Sequence, residues 1–226
     1  MSMSYRDEEL LFGTDPLCGW CFAFRPAMRM LTEAHPDLPV RVLYGGLVLG
    51  ERVQPIAATR GYLINGLEEV RRRAGVAAGE AFYQGLLADG SYISNSEPPC
   101  RAIWTVQQIA PERAYAFADA LPEAFYVRGL ALDEPQVLAD LAAEQGIDPA
   151  AFLRLWDTPE AHQGTRSAFA QARADGIGVY PTLMYRRGHH IHVVTSGWVS
   201  PSELLARVAA LREGNTVSQG QTISLM

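Results

Sequence analysis

From about Thr59 to Asp175 the chain contains only helical patterns, while period-two stretches flank this interval on both sides. A sheet must therefore be assembled from the two ends of the chain. The first stretch, Glu9 to Thr14, is followed by the breaker Asp15-Pro16 and then by a helix running to about Ala34. In that helix Cys21, Phe24, Met28 and Leu31 are spaced by three and four, which predicts one buried stripe, with Arg25, Arg29 and Glu33 facing water and a kink at Pro26. A second strand is expected at Pro39–Leu49, rich in β-branched and aromatic residues and ended by glycines.

The interval divides into helices at Tyr62–Arg73, Ala77–Leu87, Pro98–Ala110, Glu112–Val127, Glu134–Gln145, Pro149–Trp156 and Pro159–Ala174. Asp133 and Asp148 are the expected N-caps of two of these, each followed closely by a proline. After Gly176 the alternation returns as a hairpin, Gly178–Tyr185 and His190–Val194 around an Arg186-Arg187-Gly188 turn. The last helix opens on a capping box, Ser200-Pro201-Ser202-Glu203. The order predicts an α/β fold in which a βαβ unit and a ββα unit are separated by a large all-helical insertion.

Charge and composition exclude several functions. With 19 basic against 25 acidic residues, the net charge of -6 disfavours nucleic acid or an anionic membrane as partner. The longest basic run, Arg71 to Arg73, is expected to be a solvated helix face. No apolar run approaches the ~18 residues of a membrane span, and the N-terminal segment lacks the basic-then-apolar order of a secretory signal, so a cytoplasmic location is expected. Three cysteines are too few, and odd in number, for a disulfide scaffold.

Two of the three form Cys18-Gly-Trp-Cys21 at a helix start. Cysteines three apart there share a face at the ~5.5 Å Cα separation that suits a reversible disulfide. Unpaired N–H groups of the first turn favour a thiolate at Cys18, the attacking group, while Cys21 lies one turn deeper and is suited to resolve a mixed disulfide. A structural zinc site would need a second ligand pair, which the chain lacks, and no metal is expected. Cys100 is expected to be an inert buried thiol, and His189, His190 and His192 a surface hairpin.

The segment Asp15-Pro-Leu-Cys-Gly-Trp-Cys21, with Gly178-Val-Tyr-Pro-Thr182 far downstream, resembles the thioredoxin superfamily and, within it, the DsbA-like dithiol-disulfide oxidoreductases, above all the cytoplasmic FrnE-like branch of protein-disulfide isomerases. The resemblance spans about residues 8 to 212. It implies a discontinuous thioredoxin-like domain of residues 8–58 and 176–213, a helical insertion domain of residues 59–175 and a flexible tail of residues 214–226. It further implies Cys18 as nucleophile, Cys21 as resolving thiol and Pro181 as a cis-proline facing them, with Trp20, Tyr180 and Thr182 contacting substrate. A cis X-Pro turn blocks strand addition from one side and so can hold a backbone edge open for a peptide. The family's buried acid six residues before the nucleophile is replaced by Phe12, leaving Asp15 as the nearest candidate proton acceptor. Gly19-Trp20 brings no histidine between the cysteines, and a reducing or isomerising poise follows as the expectation.

The expected partners are protein or peptide thiols and disulfides, with glutathione or a thioredoxin-type reductant exchanging electrons and no bound cofactor. Two alternatives remain open on the sequence. One is a glutathione-dependent isomerase or transferase of the 2-hydroxychromene-2-carboxylate isomerase or kappa type, which generally has serine at the nucleophile position. The other is a chaperone-like module with a Trp20–Phe22 rim, or a metal carrier using Cys18 and Cys21.

Overall fold

The computed structural model describes residues 8–215 and 222–224. Strand β1 (Glu8–Thr14) leads through a four-residue loop into helix α1 (Gly19–Ala34), and β2 (Val40–Tyr44) follows. A two-residue strand β3 (Gln54–Pro55) precedes α2 (Arg60–Ala74), α3 (Glu80–Gln84), α4 (Leu86–Asp89), β4 (Ile93–Ser94), α5 (Glu97–Ile109), α6 (Ala114–Tyr126), α7 (Pro135–Glu144), α8 (Pro149–Trp156) and α9 (Pro159–Ala174). The chain closes with β5 (Thr182–Arg187), β6 (His190–Ser196), α10 (Pro201–Arg212) and β7 (Thr222–Ser224). The main sheet has the order β2-β1-β5-β6-β7, with β1 and β2 parallel and every other pair antiparallel.

Strand alternation builds the layers. Leu10 and Phe12 of β1, with Leu183 and Tyr185 of β5, meet Phe24, Met28 and Leu31 of α1 and Leu204, Val208 and Leu211 of α10 on one face. Leu11 and Met184 point the other way, onto Ala172 and Ile177. Phe24, Met28 and Leu31 are each fully buried, which stabilises the seat of α1 by roughly 1.5–3 kcal/mol per side chain. The helical part has a separate core centred on Phe82, Phe117, Leu121, Phe125 and Phe152, and this core also takes in Leu17 and Phe22 from the cysteine segment. The helical part and the sheet thus meet at the cysteines.

Several expectations need correction. The strand expected at Pro39–Leu49 stops at Tyr44, where Gly45 and Gly46 turn the chain. Ile93–Ser94 pairs with Gln54–Pro55, so the interval does contain a short strand. The helix expected at Ala77–Leu87 is broken at Gly85, whose backbone lies so close to the Ala81 carbonyl that a Cβ would sit 2.5 Å from its oxygen. Glu134, not Asp133, occupies the cap position of α7, whereas Asp148 caps α8 by accepting from the Ala150 N–H at 3.0 Å. In the tail, residues 222–224 pair with His190–His192; residues 216–221, 225 and 226 lie outside the described residues. Arg25 is buried rather than solvated, and the hydrogen bonds that hold it there come from α6.

Candidate active site

The cysteine segment is held by one carboxylate. Asp15, with no exposed surface, accepts from the Leu17 N–H at 2.9 Å, the Leu47 N–H at 2.6 Å and the Ser96 hydroxyl at 3.0 Å. Ser96 in turn accepts from the Val48 N–H at 2.9 Å, so one buried group joins the cysteine loop, the end of β2 and the start of α5. Burial pushes the Asp15 carboxyl up, opposed by those three donors. Its carboxylate is engaged with the loops, and the contact it offers Cys21 is through its backbone.

Cys18 is the N-cap of α1, in extended backbone conformation, and its sulfur accepts from the Cys21 N–H at 3.4 Å. No acidic residue stands in the first turn to oppose a negative sulfur there. The Cys18 thiol donates to the Tyr180 carbonyl at 3.6 Å, and the Tyr180–Pro181 peptide is cis. Cys21 is 1% exposed. Burial first, and then Cys18, pushes its thiol well above the usual range, while the Thr14 side chain and the Asp15 backbone act weakly in the opposite direction. Tyr126 closes the floor by donating its hydroxyl to the Leu17 carbonyl at 2.7 Å.

Of the residues singled out in the sequence, Cys18, Cys21, Trp20, Tyr180 and Pro181 converge here. Thr182 does not face outward: it is 5% exposed, and its hydroxyl donates to the Val179 carbonyl at 2.7 Å, closing the proline turn. Phe22 is no rim residue, because it packs against Tyr126 in the helical core with ring centroids 5.2 Å apart. Cys100 is fully buried, and burial, followed by the charge of Asp15, pushes its thiol up. His189 and His190 are exposed on the hairpin. Tyr180 reaches back over Gly45, where a Cβ would fall 1.5 Å from the phenol oxygen, so only glycine allows that ring position.

Two site residues escape the sequence reading. Trp198 lies 6.2 Å from Trp20 and donates its indole N–H to the Ala23 carbonyl at 3.2 Å. The Arg73 guanidinium lies over both indoles, 5.1 Å from Trp20 and 5.8 Å from Trp198. Neither has a local signal, since Trp198 merely follows a strand and Arg73 belongs to a basic run. Together with Val179, Tyr180 and Gly197 they line a cavity of about 330 Å³. Cys18 itself lines a hollow of about 100 Å³ among Leu17, Tyr62, Leu67 and Tyr126. A larger cavity, about 420 Å³ along β2 and lined by Gln107 and Gln171, shares no residue with either.

An N-capping cysteine, a buried partner one turn on and a cis-proline carbonyl against the first sulfur define a thioredoxin-fold dithiol–disulfide oxidoreductase. The chain belongs to the DsbA-like thioredoxin-domain family, whose model matches residues 10–206. Among solved structures, the chain is similar to the cytosolic disulfide reductase DsbM of Pseudomonas aeruginosa, at 26% identity and a TM-score of 0.78, with 91% of this chain and 98% of that one covered. DsbM also has a structure with GSH, matched at a TM-score of 0.76 and 26% identity over 91% of this chain and 99% of that one. A candidate protein disulfide isomerase from Nitrosomonas europaea matches at 24% identity and a TM-score of 0.79, over 93% of this chain and all of that one. No curated protein matches the chain. Among the described residues no helix is long and apolar enough to cross a membrane.

Proposed function

We propose that the chain reduces or isomerises protein or small-molecule disulfides in the cytosol, with Cys18 attacking and Cys21 resolving. The Cys18 thiolate attacks one sulfur of the substrate, the substrate S–S bond breaks, and the released thiolate takes up a proton. Cys21 then gives up its proton and attacks the Cys18 sulfur, releasing the second substrate thiol and leaving a Cys18–Cys21 disulfide. Glutathione or a thioredoxin-type dithiol restores the reduced form by the reverse exchange, without a bound cofactor. The observation that carries this reading is the placement of the Cys18 sulfur, at the cap of α1, beside a hollow and 3.6 Å from the Tyr180 carbonyl, with Cys21 behind it. Pro181 and the Tyr180 backbone frame an extended substrate, Trp20 flanks it, and Thr182 supports the turn. Asp15 acts as a positioning group for the loop. The reducing direction is supported by the absence of a histidine or other cation between the cysteines and by the similarity to a cytosolic reductase.

The test is Cys21→Ser. Incubated with glutathione disulfide, this variant accumulates one glutathione adduct on Cys18, visible by mass spectrometry of the alkylated protein, whereas the wild-type chain passes through that adduct to the internal disulfide. An adduct confined to Cys100, or none at all, would sink the assignment.

A further inference from the structure

Four glycines stand inside α-helices among the described residues, and three of them have a local reason. Gly19 opens α1 between the two cysteines, Gly61 lies in the first turn of α2, and Gly164 of α9 is so close to Trp104 that a Cβ would fall 2.3 Å from its ring. Gly66, in the middle of α2, has none of these reasons. Its backbone is helical, which any residue adopts, and a Cβ there would meet nothing within 4 Å. Glycine in a helix interior weakens the helix, because its backbone loses the most freedom on folding. Neither backbone conformation nor packing therefore calls for glycine at this position.

The position does matter to the space around Cys18. Tyr62, Leu63, Gly66, Leu67 and Val70 recur at spacings of three and four, which places them on one face of α2, and all five line the hollow of about 100 Å³ that Cys18 also lines. Leu67 and Val70 are buried and seat that face, and Leu67 comes within 3.8 Å of where a Cβ on Gly19 would lie. Gly66 stands on the same face one turn from Tyr62 and one turn from Val70, as bare backbone. The hollow is well below the ~300 Å³ at which pockets for whole ligands begin, so it takes only the sulfur-bearing end of a substrate, and a methyl-sized change in its wall is felt. Trp20 lines both this hollow and the 330 Å³ cavity that contains Tyr180, whose carbonyl meets the Cys18 sulfur. A polypeptide lying along Tyr180 thus offers its cysteine to the hollow while its chain leaves the cysteine Cα in two directions.

Resting on the exchange chemistry assigned above, we propose that Gly66 is a specificity-determining residue: the missing side chain leaves clearance beside Cys18 for the branched Cα of a cysteine that carries a peptide bond on each side. A side chain at position 66 narrows the wall and excludes that branch before it excludes the sulfur of an unbranched thiol. The exchange itself is unchanged, with the substrate gaining two electrons and two protons as two thiols and the Cys18–Cys21 pair losing them.

The experiment mixes reduced protein with one of two neutral disulfides, unbranched hydroxyethyl disulfide or N,N′-diacetylcystine bis(methylamide), and follows oxidation of the dithiol by acid quench, alkylation and mass spectrometry. Gly66→Leu lowers the ratio of rate constants, cystine derivative over hydroxyethyl disulfide, at least about tenfold, and Gly66→Ala lowers it about threefold. Gly61→Leu, on the same helix with nothing within 4 Å of its Cβ but outside the hollow, leaves the ratio within about twofold. Both Gly66 variants unfold at higher urea than wild type, because alanine and leucine favour helix, so their slower exchange does not come from a loosened fold. If Gly66→Leu does not fold, Gly66→Ala carries the test with its smaller shift. A ratio that the Gly66 variants leave unchanged, or equal losses with both disulfides, overturns the inference. If wild-type protein oxidises with hydroxyethyl disulfide but not with the cystine derivative, the inference fails and the exchange chemistry stands. If it oxidises with neither, the exchange chemistry itself fails.

Discussion

Cys18→Ser is expected to abolish exchange with every disulfide, lowering the rate by about three orders of magnitude or more, the scale of losses when a covalent nucleophile is removed. The second cysteine cannot take over. Cys21 is 1% exposed, and burial holds its thiol well above the usual range, so near neutral pH it is protonated and shielded until Cys18 has been converted to a mixed disulfide. Cys100 is no reserve either, being fully buried among apolar side chains on α5. Cys100→Ala accordingly keeps exchange within about twofold of wild type and lowers stability by about 1 kcal/mol, as for a small core truncation. Stopped-flow oxidation of the three proteins checks both statements. Residual exchange in Cys18→Ser above a few per cent of wild type would move the attacking role elsewhere.

The second large effect lies one turn beyond Cys21. Arg25, 8% exposed, donates from Nε to Asp119 at 3.2 Å and from Nη2 to both Asp119 and Glu123, fastening α1 to α6. Arg29 approaches the same two acids from solvent, at 2.8 Å and 3.3 Å. Arg25→Met removes the buried cation, leaving two acids side by side with only the exposed Arg29 to offset them. The expected loss is about 2–4 kcal/mol by urea unfolding at pH 7, somewhat below the ~3–5 kcal/mol of a fully buried pair because Glu123 is part-exposed. The sign of its pH dependence follows from Glu123. Its carboxyl is held below the usual range, first by the hydrogen bond from Arg25, against the opposing effect of burial. A depressed folded-state pKa contributes stability that is fully present above the unfolded value of about 4.3 and lost as pH falls through the folded value. The gap between Arg25→Met and wild type therefore narrows below about pH 4. A variant equally stable at pH 7, with the same acid limb, would show that this ion pair does not fasten the helix.

The features legible in the sequence are those that depend on neighbours a few residues away. The period-two alternation of Leu10, Leu11 and Phe12 already sorted them to two faces, and Ser200 and Asp148 cap their helices because a cap needs only the N–H groups two or three positions on. The CxxC pair is legible for the same reason: Cys18 and Cys21 meet through a single helical turn. One assignment failed where a long side chain had a choice: Arg25 occupies a position whose helical periodicity points to water, yet it is buried against Asp119, far away in the chain. Arg73 is exposed as its periodicity predicts, and what the sequence does not show is that its guanidinium lies over Trp20 and Trp198.

By itself, then, the sequence determined the order of the principal strands and helices, the redox pair and the cap that presents it, because backbone hydrogen bonding and side-chain period act over one or two turns. Only the tertiary structure decided what surrounds the sulfur: Tyr180 brought against it by β5, Trp198 delivered from the end of β6 onto Trp20, and Arg73 laid over both. The physical reason is that these contacts join segments with no local coupling, and packing of the sheet against α1, with α2 against the same helix, places them around Cys18.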